Sequence, residues 1–272
     1  MHINIQKLVN SHICSNVLDR QIISRKSKTG ANMTILIVGA SGATGRLLVE
    51  ELLNRGQKVR VVVRSLESLP EKIKSRANLS IIEESILDMS HTDLVTLVQG
   101  CHAVVSCLGH NLSLQGIYGK PRRLVTGAIY RLCNAIRENK PTDPVKFILM
   151  NTTGNRNKDL DEKISFSQKC IIGLLRLVLP PHVDNEKAAD YLRTKIGQND
   201  SHIQWVAVRP DGLINEEEVT GYEIFESPTR SAIFDAGTTS RINVANFMAK
   251  LIKSDKTWST WVGKMPVIYN SS

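Results

Sequence analysis

Gly39, Gly42 and Gly45 recur at every third position in Gly39-Ala-Ser-Gly-Ala-Thr-Gly45. Phosphate binding needs backbone N–H groups that face the ligand with no side chain in the way, and glycine supplies such backbone. Gly39 permits a tight turn, Gly42 lets a pyrophosphate approach the main chain, and Gly45 lets a helix pack close to a strand. Ser41, Ala43, Thr44 and Arg46 complete the loop and the opening of the helix. A glycine pattern alone is weak evidence. This one follows the apolar run Thr34–Val38 and precedes residues 44–55, where Leu47, Leu48, Leu52 and Leu53 share one helical face. A strand, a glycine loop and an amphipathic helix in that order make a dinucleotide site, with the helix N-terminus adding its partial positive charge.

The next chemically informative position ends the run Val61-Val-Val-Arg64-Ser65. A site for NAD usually has Asp or Glu here to accept hydrogen bonds from the ribose 2′-hydroxyl. This chain has Arg64, whose guanidinium can hold a 2′-phosphate in fork geometry, and Arg46 stands ready to assist. The expected cofactor is therefore NADP(H) in preference to NAD(H).

These loops need a scaffold that presents them together. From Thr34 the chain alternates apolar runs with helical patterns, the signature of a parallel sheet covered on both faces. Strands are expected over Thr34–Val38, Lys58–Val63, 80–83, 103–107, 146–150 and 204–208. Helices are expected over 44–55, closed by Gly56, and over 92–98, 123–138, 170–179, 185–196 and 243–252. The apolar window 170–180 carries Arg176 and reads as a buried or lid helix ended by Pro180-Pro181. Beyond Asp211 the pattern is less regular. The fold class is α/β, a Rossmann-type doubly wound parallel sheet with a small C-terminal substrate-side region.

At 272 residues, with 42% hydrophobic and 22% charged, the chain can build one well-cored domain. Its five cysteines are odd in number and form no CxxC pair, which fits a reducing, cytoplasmic compartment rather than a disulfide scaffold, and no metal site is expected. The net charge is +9, but no basic run interleaves with aromatics, so nucleic acid is not an expected partner; a phosphate-rich cofactor accounts for the balance. No apolar stretch is long enough to span a bilayer. Residues 1–32 lack periodicity and carry five basic residues against Asp19. They read as an extension, either an unstructured arm or a non-native start, or alternatively an organelle transit peptide, and the domain proper as 33–272.

The chain resembles atypical short-chain dehydrogenases/reductases, in the NAD(P)H-binding group that includes NmrA-like proteins and flavin/biliverdin reductases. The resemblance runs from about Met33 to the C-terminus. It rests on GASGATGR at 39–46, VVVR at 61–64, Ile86-Leu87-Asp88, and the stretches 104–109, 147–154 and 206–210. It implies further contacts: Asp88 facing adenine; Cys107, Leu108 and Gly109 along the sugar and phosphates; and Asn151, Thr152 and Thr153 beside the nicotinamide. All follow strands, at the carboxyl edge where open α/β sheets bind ligands.

Typical members of that family use a Tyr as acid and a Lys four residues later. One literal Tyr-x-x-x-Lys occurs, Tyr191-Leu-Arg-Thr-Lys195. Its register is wrong, because Lys195 lies too close to Arg209-Pro210 to leave room for a full helix and a loop. Lys187 fits the family spacing, and the residue four before it is Val183. The resemblance thus implies Lys187 as the cofactor-side lysine without the Tyr. Thr152 or Thr153 keeps a hydroxyl where the family often has Ser, and Thr152 is taken as the catalytic candidate. Among other candidate acids (His110, His182 and Tyr118), His182 ranks first because it precedes Lys187 at the expected site entry. Two functions stay open: an NADPH-dependent oxidoreductase acting on a small carbonyl, quinone or flavin-like substrate, or a non-catalytic NADP(H)-binding redox sensor or partner-binding protein. A sugar-nucleotide epimerase fits less well, since that chemistry relies on the missing Tyr. Substrate choice is expected to lie with 112–122, 155–183 and the segment after Pro210, and the chain to be a monomer or homodimer.

Overall fold

The computed structural model describes residues 34–110, 113–163 and 165–271. The expected N-terminal extension, Cys14 and Leu112 lie outside the described residues.

Strand β1 (Thr34–Val38) is buried on both faces. Alternation sends Ile35 and Ile37 into one core layer and Leu36 and Val38 into the other. It lies between β2 (Lys58–Val63) and β4 (Cys101–Ser106), parallel to both. β3 (Leu79–Glu83) flanks β2, while β5 (Val145–Met150) and β6 (Ile203–Pro210) continue beyond β4. The order β3-β2-β1-β4-β5-β6 is extended by β10 (Val267–Asn270) and by antiparallel β8 (Tyr222–Phe225). Two three-residue strands, β7 (Gly212–Ile214) and β9 (Thr238–Ser240), pair separately. This is the doubly wound, mostly parallel α/β sheet that the sequence predicts.

Each sheet face has its own helices. On one side Leu48 and Leu52 of α1 (Ala43–Asn54) pack with Phe247 and Met248 of α8 (Arg241–Lys253) and Trp258 of α9 (Asp255–Trp261). On the other, Leu94 of α3 (His91–Val98) and Leu132 and Ile136 of α5 (Leu124–Asn139) meet Ala188 and Ala189 of α7 (Pro180–Tyr191) over Phe147 and Trp205. Two short helices, α2 (Glu71–Lys74) and α4 (Leu114–Tyr118), lie in connections. Gly56 closes α1 at φ +72°, the left-handed stop expected there.

Four details differ from the sequence reading. Cys107 falls just past β4, whose strand ends at Ser106. The helix expected at 170–179 is α6 (Phe166–Val178), started four residues earlier by Ser165, whose side chain accepts from the Gln168 amide. It is not buried: Phe166 and Leu177 are each 82% exposed. The proline pair does not only end α6. Leu179 leaves helical geometry, as residues before proline do, and Pro180 opens α7. That helix therefore starts five residues before the expected 185, and it finishes in a wider π-type turn, Leu192–Ile196, stopped by Gly197 at φ +68°. The C-terminal region, which reads as irregular, contains β7 to β10 and α9; strands of three or four residues leave little periodicity to read.

Candidate functional site

The carboxyl ends of β1, β2, β4 and β5 lie along one edge because their registers align: Val38 faces Val62 and Ser106, and Ser106 faces Leu149. The glycine loop follows β1 there. Gly39 adopts φ +78°, and a Cβ on it would sit 2.5 Å from the Cys107 carbonyl carbon. The loop therefore rests directly on the backbone that follows β4, and the Cys107 amide donates to the Val38 carbonyl at 2.9 Å. A Cβ on Gly45 would lie 2.2 Å from the Gly39 oxygen, so the helix start is pressed onto the turn. Gly42 and Ala43 are exposed, while Thr44 and Gly45 are buried.

The amides at the start of α1 are the donors a phosphate requires. No helical carbonyl precedes them, and no side chain caps this end. By contrast, Ser90, Ser165, Ser240 and Ser254 each cap the helices they begin. An exposed glycine beside uncapped amides fits the pyrophosphate of a dinucleotide.

Arg64, one residue past β2, is exposed, and Arg46 is half-buried on the first turn of α1. Neither side chain has a hydrogen-bond or ion-pair partner among the described residues. Ser65 caps the turn Leu66–Ser68 by accepting from the Glu67 amide at 3.2 Å. A carboxylate does stand nearby: Glu83, at the end of β3, accepts from the Leu66 amide at 2.9 Å. The sequence reading missed it because the cue lies on the neighbouring strand. Asp88 is exposed, with its amide bonded to the Ser85 carbonyl. After β4, Cys107 and Leu108 are half-buried and Gly109 is exposed. Burial pushes the Cys107 thiol up to about 12, so near neutral pH it stays a neutral thiol rather than a thiolate.

After β5, Asn151 is buried and donates to the Asn185 carbonyl of α7 at 3.0 Å. Its Oδ1 accepts from the Thr152 amide at 2.9 Å. Thr153 is buried and donates to Asp211 at 2.9 Å. Thr152 and His182 converge: a Cβ on Gly154 would stand 3.6 Å from Thr152 Oγ1 and 3.5 Å from His182 Cε1. His182 Nε2 is buried without a hydrogen bond, 3.4 Å from a Glu186 oxygen. Burial alone would raise the Glu186 carboxyl, but the facing imidazole and the Arg176 guanidinium, 2.8 Å away, outweigh it and hold the group at about 2.

Lys187 lies on the same helix but is exposed and has no partner among the described residues. It falls outside the buried line of α7, which consists of Asp184, Ala188 and Ala189. The literal Tyr191–Lys195 pair is not assembled as a site either. Tyr191 packs edge-on against Tyr130 of α5, with centroids 5.7 Å apart, and burial raises its phenol to about 12.

Asp184 is the residue that sequence reasoning missed most completely. Its buried carboxylate accepts from the amides of Val125 and Thr126, at 2.8 and 3.1 Å, and so caps α5 from α7. It also bonds His110 Nε2 at 2.8 Å, while His110 Nδ1 faces the Gly116 carbonyl at 3.2 Å. His110, a candidate acid by type, is thus a tie between the loop after β4 and α7. Arg209, fully buried at the end of β6, pairs with Glu162 at 2.7 Å and bonds the Asn155 carbonyl at 3.0 Å. That pair fixes the loop after β5 as the wall of a cavity of about 400 Å³. Thr153 and Gly154 form one side of the cavity, Gln168 and Ile172 of α6 another, and Arg230 and Phe234 a third.

Residues 39–255 match the family model described as NAD(P)H-binding, a span that contains the glycine loop and every other residue named above for the site. The chain belongs to the NAD(P)H-binding family. Solved structures agree on the fold. An oxidoreductase of Lactococcus lactis is 18% identical, with a TM-score of 0.61 over 88% of this chain and 92% of that one. A short-chain dehydrogenase/reductase of Veillonella parvula, in complex with NADP, is 16% identical, with a TM-score of 0.63 over 88% and 95%. An anaerobilin reductase of Escherichia coli O157:H7 is 14% identical, with a TM-score of 0.61 over 88% and 98%. Among the described residues no helix is long and apolar enough to cross a membrane, and no cluster of three or more His, Cys, Asp or Glu could hold a metal ion.

Proposed function

We propose that this member of the family is an NADPH-dependent oxidoreductase that reduces a small carbonyl, quinone or flavin-like compound. The observation that carries the reading is the convergence of Thr152 and His182 on the space around Gly154, at the rim of the cavity and at the carboxyl end of β5. In this reading residues 39–46 hold the pyrophosphate through the amides of α1. Arg64, with Ser65 and Arg46, holds the 2′-phosphate. Asp88 faces the adenine, and Cys107, Leu108 and Gly109 line the sugars. Asn151, Thr153 and Lys187 border the nicotinamide, which when bound supplies hydride. Thr152 Oγ1 orients the acceptor oxygen, and His182 delivers the proton, with Glu186 holding the ring in place. The unpaired Arg64 and Arg46 support NADPH over NADH, and the Veillonella neighbour was solved with NADP.

Val183 at the position four before Lys187 favours a second reading, a cofactor-binding sensor without turnover. One experiment separates them. The protein is mixed with NADPH and a panel of quinones, flavins and aldehydes, and oxidation is followed at 340 nm. Turnover of any acceptor above background supports the enzyme. Tight NADPH binding with no oxidation across the panel supports the sensor.

A further inference from the structure

The outer face of α6 does not behave like the surface of an isolated globular protein. Eleven large apolar side chains are exposed among the described residues, and seven of them fall in three neighbouring segments. Phe166, Leu174, Leu177 and Val178 are on α6, Leu114 and Tyr118 are on α4, and Phe234 is on the cavity rim. The segments are tied to one another: the Tyr118 hydroxyl donates to the Val178 carbonyl at 3.1 Å, and Ser231 Oγ donates to Gln168 Oε1 of α6 at 3.2 Å. Scattered exposed apolar residues are ordinary, but a contiguous apolar patch marks a docking site.

Charge selects the partner. Residues 114–123 carry Lys120, Arg122 and Arg123, and residues 163–178 carry Lys163 and Lys169 besides Arg176, whose charge is paired with Glu186; neither stretch contains an acidic residue. An amphipathic helix with aromatic and leucine side chains on one face and flanking Lys and Arg is the composition that settles into an anionic lipid surface. The same composition disfavours a second copy of this chain, which would bring two basic rims together. We propose that α6 and α4 dock the protein on an anionic membrane surface, lying in the plane of the headgroups without spanning the bilayer. Gln168 and Ile172, on the inner side of the same helix, line the cavity, and Phe234 belongs both to the cavity and to the apolar patch. Docking therefore sets the cavity rim at the lipid boundary. The inference is independent of cofactor identity.

The test is co-sedimentation of the full chain with phosphatidylglycerol/phosphatidylcholine vesicles and with phosphatidylcholine vesicles alone, at low and at physiological salt. The expected result is binding to the anionic vesicles that weakens with salt. It should fall ~10-fold or more in Leu174→Ser/Leu177→Ser, and also fall in Lys169→Glu. The two leucines are exposed, so the double variant should keep its circular dichroism and its NADPH affinity. Because residues 1–32 are themselves basic, the double variant is the deciding comparison. Absence of binding to anionic vesicles overturns the proposal. So does unchanged binding of the double variant, which would show general charge attraction only. A dimer in sedimentation velocity that the double variant dissolves also overturns it, by assigning the face to a second copy.

Discussion

Arg64→Glu should separate the two nicotinamide cofactors. Arg64 is exposed and has no partner among the described residues, so the substitution breaks nothing in the fold, and stability should stay within ~0.5 kcal/mol of the parent. The whole effect then falls on the ligand. A charge-assisted hydrogen bond from a guanidinium to a phosphate contributes about 1.5–3 kcal/mol. Exposure favours the lower half of that range, and the new carboxylate adds repulsion of about 1 kcal/mol per facing charge in water at contact distance. NADPH affinity should drop roughly 60- to 200-fold, at about 1.4 kcal/mol per tenfold, whereas NADH affinity changes by less than about 3-fold because it offers no 2′-phosphate to lose. Arg64→Met separates lost attraction from added repulsion and should lie between parent and Glu variant. Titration of the protein into each reduced cofactor, read by nicotinamide fluorescence, measures both constants. Raising salt should narrow the gap, because the interaction is exposed to screening. Equal loss for both cofactors, or no loss for NADPH, would refute the assignment of Arg64 to the 2′-phosphate.

Gly39→Ala combines a left-handed φ of +78° with a Cβ 2.5 Å from the Cys107 backbone; it should lower the thermal midpoint and abolish NADPH binding, and a variant that binds normally would remove the loop from the site. His182→Asn should lower kcat by ~100-fold or more with little change in NADPH affinity, the size expected for losing a general acid; steady-state kinetics and a binding titration read the two separately. Lys187→Ala should reduce cofactor affinity or turnover more than Lys195→Ala, and the reverse order would restore the Tyr191 pair. Glu186 titrates lower folded than unfolded, from 4.5 to about 2, so its contribution is present above pH 4.5 and lost as pH falls toward 2. It amounts to at most about 3 kcal/mol. Glu186→Gln should therefore flatten the acid limb of stability in that window; an unchanged limb in chemical denaturation would contradict the ion-pair account.

The parts of this structure legible in the sequence are the local ones. The strand, glycine loop and helix at 34–54 are contiguous, and each residue's role there follows from its neighbours. The place of Arg64, one residue past β2, is legible because a strand end fixes where the next residue stands. The role of Asp184 is not legible. Its carboxylate caps a helix that begins about sixty residues earlier, and nothing in Pro-Pro-His-Val-Asp says that α5 lacks a cap of its own. Spacing alone does not say which face of α7 turns inward, because packing on α5 decides it: the buried line runs through Asp184, Ala188 and Ala189, and Lys187 stands exposed beside it. The apolar stretch of α6 misled for a related reason. A helix pattern shows that one side is apolar but not what that side meets.

The literal Tyr191-x-x-x-Lys195 motif shows why residue types at the right spacing do not make a site. A Tyr–Lys acid works because the lysine lowers the phenol's pKa. Here burial moves the phenol the other way, to about 12, and the ring is committed to Tyr130 on α5. The hydroxyl and imidazole that flank Gly154, those of Thr152 and His182, come from two elements held together by Asn151 donating to Asn185 and by Asp184 capping α5. Those ties align α7 with the end of β5, and on them the proposed chemistry depends. A proton donor delivered by α7 needs that alignment more than it needs a tyrosine, because imidazole transfers protons near neutral pH and an isolated phenol does not.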